Sequence, residues 1–474
     1  GMLTQVGAEG LRESVRHACQ GNRFGRVQLH EVECELVKTS DPATAKARLQ
    51  VRQTIEFGMA NYVARIADHE LDARLRVMGA VLIEGPKACG KTATASQIAN
   101  TIIRLDEDPV ARAQLDFDPQ ALFSGRPPIL FDEWQVEPEI WNRVRRQVDD
   151  REEKGQFILT GSARPRDNAN RHSGAGRFSV MQMRPMSLFE TGHSTGEISL
   201  ANLLAGERQA GLGTHLSFDN LIRRIITGGW PDLLDSDEDF ARDWLADYLR
   251  QVIEVDVPEM GHRRNPGNLR RLLESLARGV GQPVKLSDLA KDVGGEGGPV
   301  AHETITGYLD ALRRLWLTDD SAAWRPHMRS RTRLRTAPVR YFVDPSIGTA
   351  ALSIGSAELK RDPLALGFHF EALAIRDLRI YAQLHRGQVD SWRDANGNEV
   401  DAVLTARDNT WAAFEIKLNP RDVDAGAASV LKFAANVDTD RHKRPACLGV
   451  ITSTGAGGLR PDGVHVIPIG ALGP

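Results

Sequence analysis

Eight consecutive residues, Gly85-Pro86-Lys87-Ala88-Cys89-Gly90-Lys91-Thr92, match the pattern G-x-x-x-x-G-K-T. They follow the apolar run Ala80-Val81-Leu82-Ile83 and precede a helix-compatible stretch from Ala93 to Ala99, the context this motif requires. Glycines let the backbone wrap phosphate closely, and successive N–H groups with the helix N-terminus take up its negative charge. Lys91 is placed to reach the β- and γ-phosphates, and the Thr92 hydroxyl to hold Mg²⁺. The pattern predicts a bound nucleoside triphosphate; the alternative is a glycine-rich turn that binds nothing.

A second strand, Pro128-Ile129-Leu130-Phe131, ends in the paired acids Asp132 and Glu133. Asp132 suits the metal shell and Glu133 the polarisation of an attacking water. Paired acids distinguish a hydrolase from the simpler phosphate-loop kinases. A third strand, Gln156–Ala163, ends in hydroxyl residues, and Thr160 and Ser162 are both candidates for a polar sensor; simple turn chemistry is the other explanation. Arg177, on the glycine-bearing stretch His172–Phe178, could supply transition-state charge in cis or from a neighbouring subunit.

The C-terminal third carries a different set. Glu371 lies in a helical stretch, Asp401 on the strand Glu399–Leu404, and Glu415 and Lys417 on the next strand, Ala412–Lys417. Asp followed by Glu-x-Lys on an adjacent hairpin strand is the signature of PD-(D/E)-x-K phosphodiesterases. Strand periodicity puts Glu415 and Lys417 on one face. Asp401 and Glu415, with Glu371 completing the set, would hold one or two Mg²⁺ or Mn²⁺ ions, and Lys417 would position water or stabilise the pentavalent phosphate. The alternative is a nuclease fold kept as a docking module, its acids serving as salt bridges.

These groups need elements to hold them. Three strands alternating with helical segments, one of them Pro138–Glu152, predict an α/β fold with a parallel sheet. A helical lid follows, with Trp244, Leu245, Tyr248, Leu249 and Val252 at helical spacing as core packing. A polar linker, Gly261–Gly267, leads to three helices and a strand hairpin in the order of a winged helix-turn-helix. Arg313 and Arg314 sit near the end of its third helix, which would enter DNA or mediate protein contacts. An α-β-β-α-β order closes the chain. The expected domains are an N-terminal extension of unsettled status (1–58), the ATPase core (59–195), the lid (196–262), the winged helix (263–335) and the nuclease-like domain (336–474).

At 474 residues the chain is too long for one core. Its 41% hydrophobic and 26% charged residues are ordinary for a globular protein, and no apolar run is long enough to span a bilayer. Net charge is −3, so no global positive field points to nucleic acid. Arg325, Arg329, Arg331, Arg333, Arg335 and Arg340 form a local basic stretch, either a solvated face or a phosphate-binding patch. Cys19, Cys34, Cys89 and Cys447 contain no C-x-x-C pair, and a cysteine inside a phosphate loop suits a reducing compartment, the cytosol.

Glu84–Thr92, Phe131–Trp134, Ile158–Arg164, His172–Phe178 and Pro185–Glu190 together resemble a family of prokaryotic AAA-type ATPases with a C-terminal domain of unknown function 4143. Gly228-Gly229-Trp230-Pro231 and Arg340–Pro345 match its other landmarks. The resemblance, from Met59 onward, implies ATP as the nucleotide and leaves the purpose open. Two functions follow as expectations: an ATP-driven enzyme acting on DNA or RNA, with a homo-oligomer supplying a trans arginine, or an ATP-gated switch that recognises a partner and cuts nothing. A kinase of nucleic-acid ends is disfavoured by Glu133 beside Asp132.

Overall fold

The computed structural model describes residues 62–162, 172–212, 215–259, 265–325, 337–394, 396–439 and 442–474. The N-terminal extension with Cys19 and Cys34, most of the polar linker, and Arg329, Arg331, Arg333 and Arg335 lie outside the described residues.

Apolar runs that can be covered on both faces become central parallel strands. β1 (Ala80–Glu84), β3 (Ile129–Asp132) and β4 (Phe157–Gly161) are buried throughout, whereas β2 (Thr101–Arg104) and β5 (Phe178–Gln182) are only partly covered. Their order is β2-β3-β4-β1-β5, all parallel, so the burial pattern alone marks the edges. Side chains alternate across the sheet. Val81, Ile83, Leu130 and Ile158 face one core, while Ala80, Leu82, Ile129, Phe131, Phe157 and Leu159 face another, with Ile140 and Val144 of the helix Glu139–Arg151.

The first of these cores does not stop at the sheet. It runs without a break through Trp230, Leu245 and Leu249 of the lid to Leu272, Leu273, Leu309 and Leu312 in the helices Pro266–Arg278 and His302–Arg314. A further core joins Ile222 and Ile225, in Phe218–Thr227, to Phe370 and Leu373 in the long helix Pro363–Ala382. The boundaries expected after residues 195, 262 and 335 therefore do not separate cores, and Asn61–Pro474 form one compact unit.

The lid helix Glu238–Gln251 continues into a π-helical turn, Val252–Asp256. After the three helices (the second is Leu286–Gly294), isolated antiparallel bridges join Thr318 to Phe342 and Ser321 to Val339, and Ala323 also bridges Ser391. The two-residue strand β6 (Ile198–Ser199) pairs with the distant β13 (Leu472–Gly473). The C-terminal sheet contains β7 (Gln388–Arg393), β8 (Glu399–Thr405), β9 (Trp411–Lys417), β10 (Cys447–Thr452), β11 (Gly458–Leu459) and β12 (His465–Pro468), in the order β11-β12-β10-β9-β8-β7. Helix Val423–Asn436 lies between β9 and β10 in sequence; the expected α-β-β-α-β order is present with three further strands, β7 ahead of β8 and β11 and β12 after β10. Among the described residues no helix is long and apolar enough to cross a membrane.

Candidate nucleotide site and a second acid pocket

Parallel strands deliver their C-terminal ends to one edge of a sheet, where ligands are usually bound. The phosphate loop leaves β1 there, Asp132 ends β3, and Thr160 and Ser162 end β4. Because β4 lies between β1 and β3, its hydroxyls fall between the loop and the acids. Thr92 Oγ1 donates to Asp132 Oδ1 at 2.8 Å, and Thr160 Oγ1 bonds the same oxygen. Ser162 Oγ donates to Glu133 Oε2 at 3.2 Å, and Gln135 Nε2 also bonds that carboxylate. The two sensor candidates thus have different partners: Thr160 faces Asp132 and Ser162 faces Glu133. Glu133 itself is left-handed (φ 52°, ψ 47°), a conformation that turns its side chain off the strand direction.

Lys91 is buried and bonds the carbonyls of Gly85 (3.0 Å) and Pro86 (2.8 Å) in its own loop. The helix it starts runs from Lys91 to Ser96, and Gly90 before it has φ 98°. A Cβ on Gly85 would stand 2.3 Å from the Met183 carbonyl, so only glycine fits there. Ala88 is left-handed too (φ 61°), and the Cys89 thiol is fully buried. Lys87 pairs with Asp256 of the π-helical turn at 2.7 Å.

Arg177 lies elsewhere. It immediately precedes β5, and its carbonyl accepts from Ala80 N, at the start of β1. Five strand residues, about 16 Å, separate it from the phosphate loop. The in-cis role considered for it is therefore out of reach within one chain. The exposed guanidinium pairs with Asp149 at 2.8 Å, and that bond holds the Asp149 carboxyl below its ordinary value.

Several residues near the loop escape motif reading. Arg65 reaches the loop backbone, and its partner Glu190 closes the Pro185–Glu190 stretch. The one local signal was the spacing of Arg65 and Asp68, which puts Asp68 Oδ2 on the Arg65 N–H at 2.7 Å. Two further landmark stretches meet in the interior. Gly229 N donates to Asp344 at 3.1 Å, Trp230 Nε1 to Ser346 at 2.9 Å, and Arg376 pairs with both Asp344 (2.8 Å) and Asp377 (2.7 Å).

The C-terminal set does assemble. Lys417 Nζ lies 2.5 Å from Glu415 Oε2, as their shared face requires, and Ser429 Oγ bonds Glu415 Oε1 at 2.8 Å. Asp401 Oδ2 takes the Ile416 N–H at 2.7 Å, and Tyr341, unforeseen from the sequence, bonds Glu371. Desolvation first, then the neighbouring carboxylates Glu371 and Glu415, drive the Asp401 pKa well up, and desolvation raises Glu371. Desolvation disfavours the Lys417 ammonium, but Asp401 and Glu415 outweigh it and raise its pKa. Among the described residues, no three His, Cys, Asp or Glu side chains are arranged to hold a metal ion. Tyr341, Ile416 N and Lys417 each bond one carboxylate of the set Glu371, Asp401 and Glu415.

The third helix of the hairpin unit exposes His302, Glu303, Thr306, Asp310 and Arg313, with Arg314 half-buried. Arg313 is 3.7 Å from Asp320, which also pairs with Arg340. Arg325 is exposed.

Family models match three segments: an AAA domain over residues 78–192, a domain of unknown function 8612 over 218–358, and a domain of unknown function 4143 over 366–472. An uncharacterized protein of Mycobacterium tuberculosis is 26% identical over 345 residues, covering 71% of this chain and 70% of that protein. One of Haemophilus influenzae is 22% identical over 278 residues, covering 56% and 61%. Among solved structures, the Walker-type ATPase of Pyrococcus abyssi matches with a TM-score of 0.39 at 13% identity, covering 61% of this chain and 96% of that one. AMPPCP-bound DnaA from Aquifex aeolicus matches with 0.22 at 14% identity, covering 52% and 86%. The AAA model spans the phosphate loop, the paired acids and Arg177, and the last model spans the acid pocket. Residues 78–192 thus match an AAA domain and residues 366–472 a domain of unknown function 4143, the two regions that hold the phosphate loop and the acid pocket.

Proposed function

We propose that this protein binds ATP with Mg²⁺, hydrolyses it, and uses the nucleotide state to act through its C-terminal half. The observation that carries the reading is the 2.8 Å bond from Thr92 to Asp132, beside a Glu133 carboxylate held by Ser162 and Gln135. A threonine hydroxyl and a buried carboxylate are hard oxygen donors, which fits Mg²⁺. Thr92 and Asp132 would hold the ion, which when bound neutralises phosphate charge. Lys91 leaves its loop carbonyls for the β- and γ-phosphates, and Glu133 takes the proton of the attacking water. Radiolabelled ATP turnover tests this: Lys91→Ala abolishes binding or turnover, and turnover equal to the parent would sink the reading.

The target of that cycle is either a nucleic acid or a partner protein. The pocket of Glu371, Asp401, Glu415 and Lys417 supports phosphodiester-directed chemistry. The outward Glu303 and Asp310, with Arg313 drawn to Asp320, favour instead a switch that binds a partner and cuts nothing. Incubation with labelled single- and double-stranded DNA and RNA, with Mg²⁺ or Mn²⁺ and with or without ATP, separates them. Cleavage lost in Lys417→Ala makes the pocket catalytic; no cleavage in any combination leaves the switch.

A further inference from the structure

Arg65 lies upstream of β1, outside the phosphate loop, yet its side chain is spent on that loop's surroundings. The residue is 6% exposed. Its guanidinium donates three ways: Nη1 to the Cys89 carbonyl at 3.0 Å, Nη2 to the Arg184 carbonyl at 2.8 Å, and Nε to Glu190 Oε1 at 3.0 Å. Glu190 is fixed in turn by Ile66 N (2.8 Å), Ser187 N (2.8 Å) and Ser187 Oγ (2.9 Å). The planar fork is therefore immobilised on one side by a carboxylate with four donors, and presents its remaining N–H groups to two backbone oxygens.

In a planar trans peptide the carbonyl and the following N–H point in opposite directions. Drawing the Cys89 carbonyl toward Arg65 thus turns the Gly90 N–H away from it. Gly90 has φ 98°, and a Cβ there would stand 3.4 Å from Arg65 Nη1 and 3.5 Å from Pro231. Glycine supplies the left-handed conformation, and the site itself has ordinary contact distances to Arg65 and Pro231. We propose that Arg65 is a positioning residue of the nucleotide site, orienting the Cys89–Gly90 peptide so that the Gly90 N–H is available to a nucleotide phosphate. The inference rests on the ATP-binding reading above. The competing explanation is that Arg65 only neutralises the buried Glu190 charge.

Arg65→Lys separates the two, because it keeps a cation for Glu190 but loses the fork. We expect its affinity for a fluorescent ATP analogue to fall about 10- to 100-fold, the cost of a lost charge-assisted bond, with its melting temperature close to the parent's. In Arg65→Ala, added methylguanidinium restores binding. If Arg65→Ala does not fold, the double variant Arg65→Gln/Glu190→Gln removes both charges together, and it too binds weakly. Parental affinity in folded Arg65→Lys, or in the folded double variant, overturns the proposal. Lys91→Ala runs alongside: if it both binds the analogue and turns over ATP as the parent does, the nucleotide reading fails and takes this inference with it. If Lys91→Ala is inactive while Arg65→Lys binds as the parent does, only the role of Arg65 falls.

Discussion

Lys87 in the phosphate loop and Asp256 in the π-helical turn form a 2.7 Å ion pair that ties the loop to the end of the helix Glu238–Gln251. Asp256 is almost fully covered (7% side-chain exposure) while Lys87 is half-exposed (52%), so the pair is anchored at the lid end. π-helical turns recur at functional positions. Removing the carboxylate takes a negative charge from beside a phosphate-binding loop. Asp256→Asn is expected to bind an ATP analogue severalfold more tightly, and, since Lys87 is largely solvated, to lose no more than about 1 kcal/mol of stability. Weaker binding in a fluorescence titration would mean that the pair shapes the loop instead of restraining it.

The partners of Thr160 and Ser162 predict different defects. Glu133→Gln and Ser162→Ala both act on the carboxylate proposed to activate water, so both are expected to lower kcat and leave ATP affinity near the parent's. For Glu133→Gln the loss is about 10²- to 10⁴-fold. Thr160→Val strips a buried donor from Asp132, which costs about 1–3 kcal/mol of stability and raises the Mg²⁺ concentration needed for turnover. Identical profiles for Thr160→Val and Ser162→Ala in magnesium-dependent kinetics would contradict this division.

Arg177 reaches a nucleotide only on a second copy of the chain. If it does so, Arg177→Ala lowers kcat by about 10³-fold or more without weakening ATP binding, and parental turnover per chain rises with protein concentration. Arg177→Ala chains mixed with Glu133→Gln chains then regain activity at shared sites. Concentration-independent turnover would remove Arg177 from catalysis and leave it as the partner of Asp149.

His369 predicts a pH dependence of stability. It is buried against Gly348, its Nδ1 has no hydrogen-bond partner among the described residues, and burial lowers its pKa from 6.5 to about 4. Above pH 6.5 the imidazole is neutral in both folded and unfolded chains. As pH falls from 6.5 toward 4, the unfolded chain takes up a proton that the folded one refuses, so stability declines, by about 3 kcal/mol at most. Melting temperatures measured across this window should fall in the parent and fall less in His369→Gln; parallel curves would contradict the burial argument.

The sequence makes legible what is local. The phosphate loop, the strand ending in Asp132 and Glu133, and the facing pair Glu415 and Lys417 each depend on spacing within one element, so periodicity and motif suffice. Residues recruited over distance stay hidden: Arg65 meets Glu190 across 125 positions, Lys87 meets Asp256 across 169, and neither pairing leaves a periodic trace. Cores shared across distant segments stay hidden for the same reason. The apolar stripes of the lid and of the next three helices each look self-contained, but Trp230, Leu273 and Leu312 close one core with Ile83. Arg177 is instructive in another way, because its distance from the loop in sequence says nothing about which end of β5 it occupies.

The pairing of β6 with β13 sets a constraint on biosynthesis. Ser199 bonds the Pro474 carbonyl, 275 residues later, and Ser194 bonds that of Leu472. At the ribosome's pace of 5–20 residues per second, Ser199 emerges roughly 15–55 s before its partner. Through that interval Ile198, Leu200 and Leu203, all buried in the finished protein, have no completed core to enter. The nascent chain thus carries an apolar segment whose packing waits on residues synthesised 275 positions later.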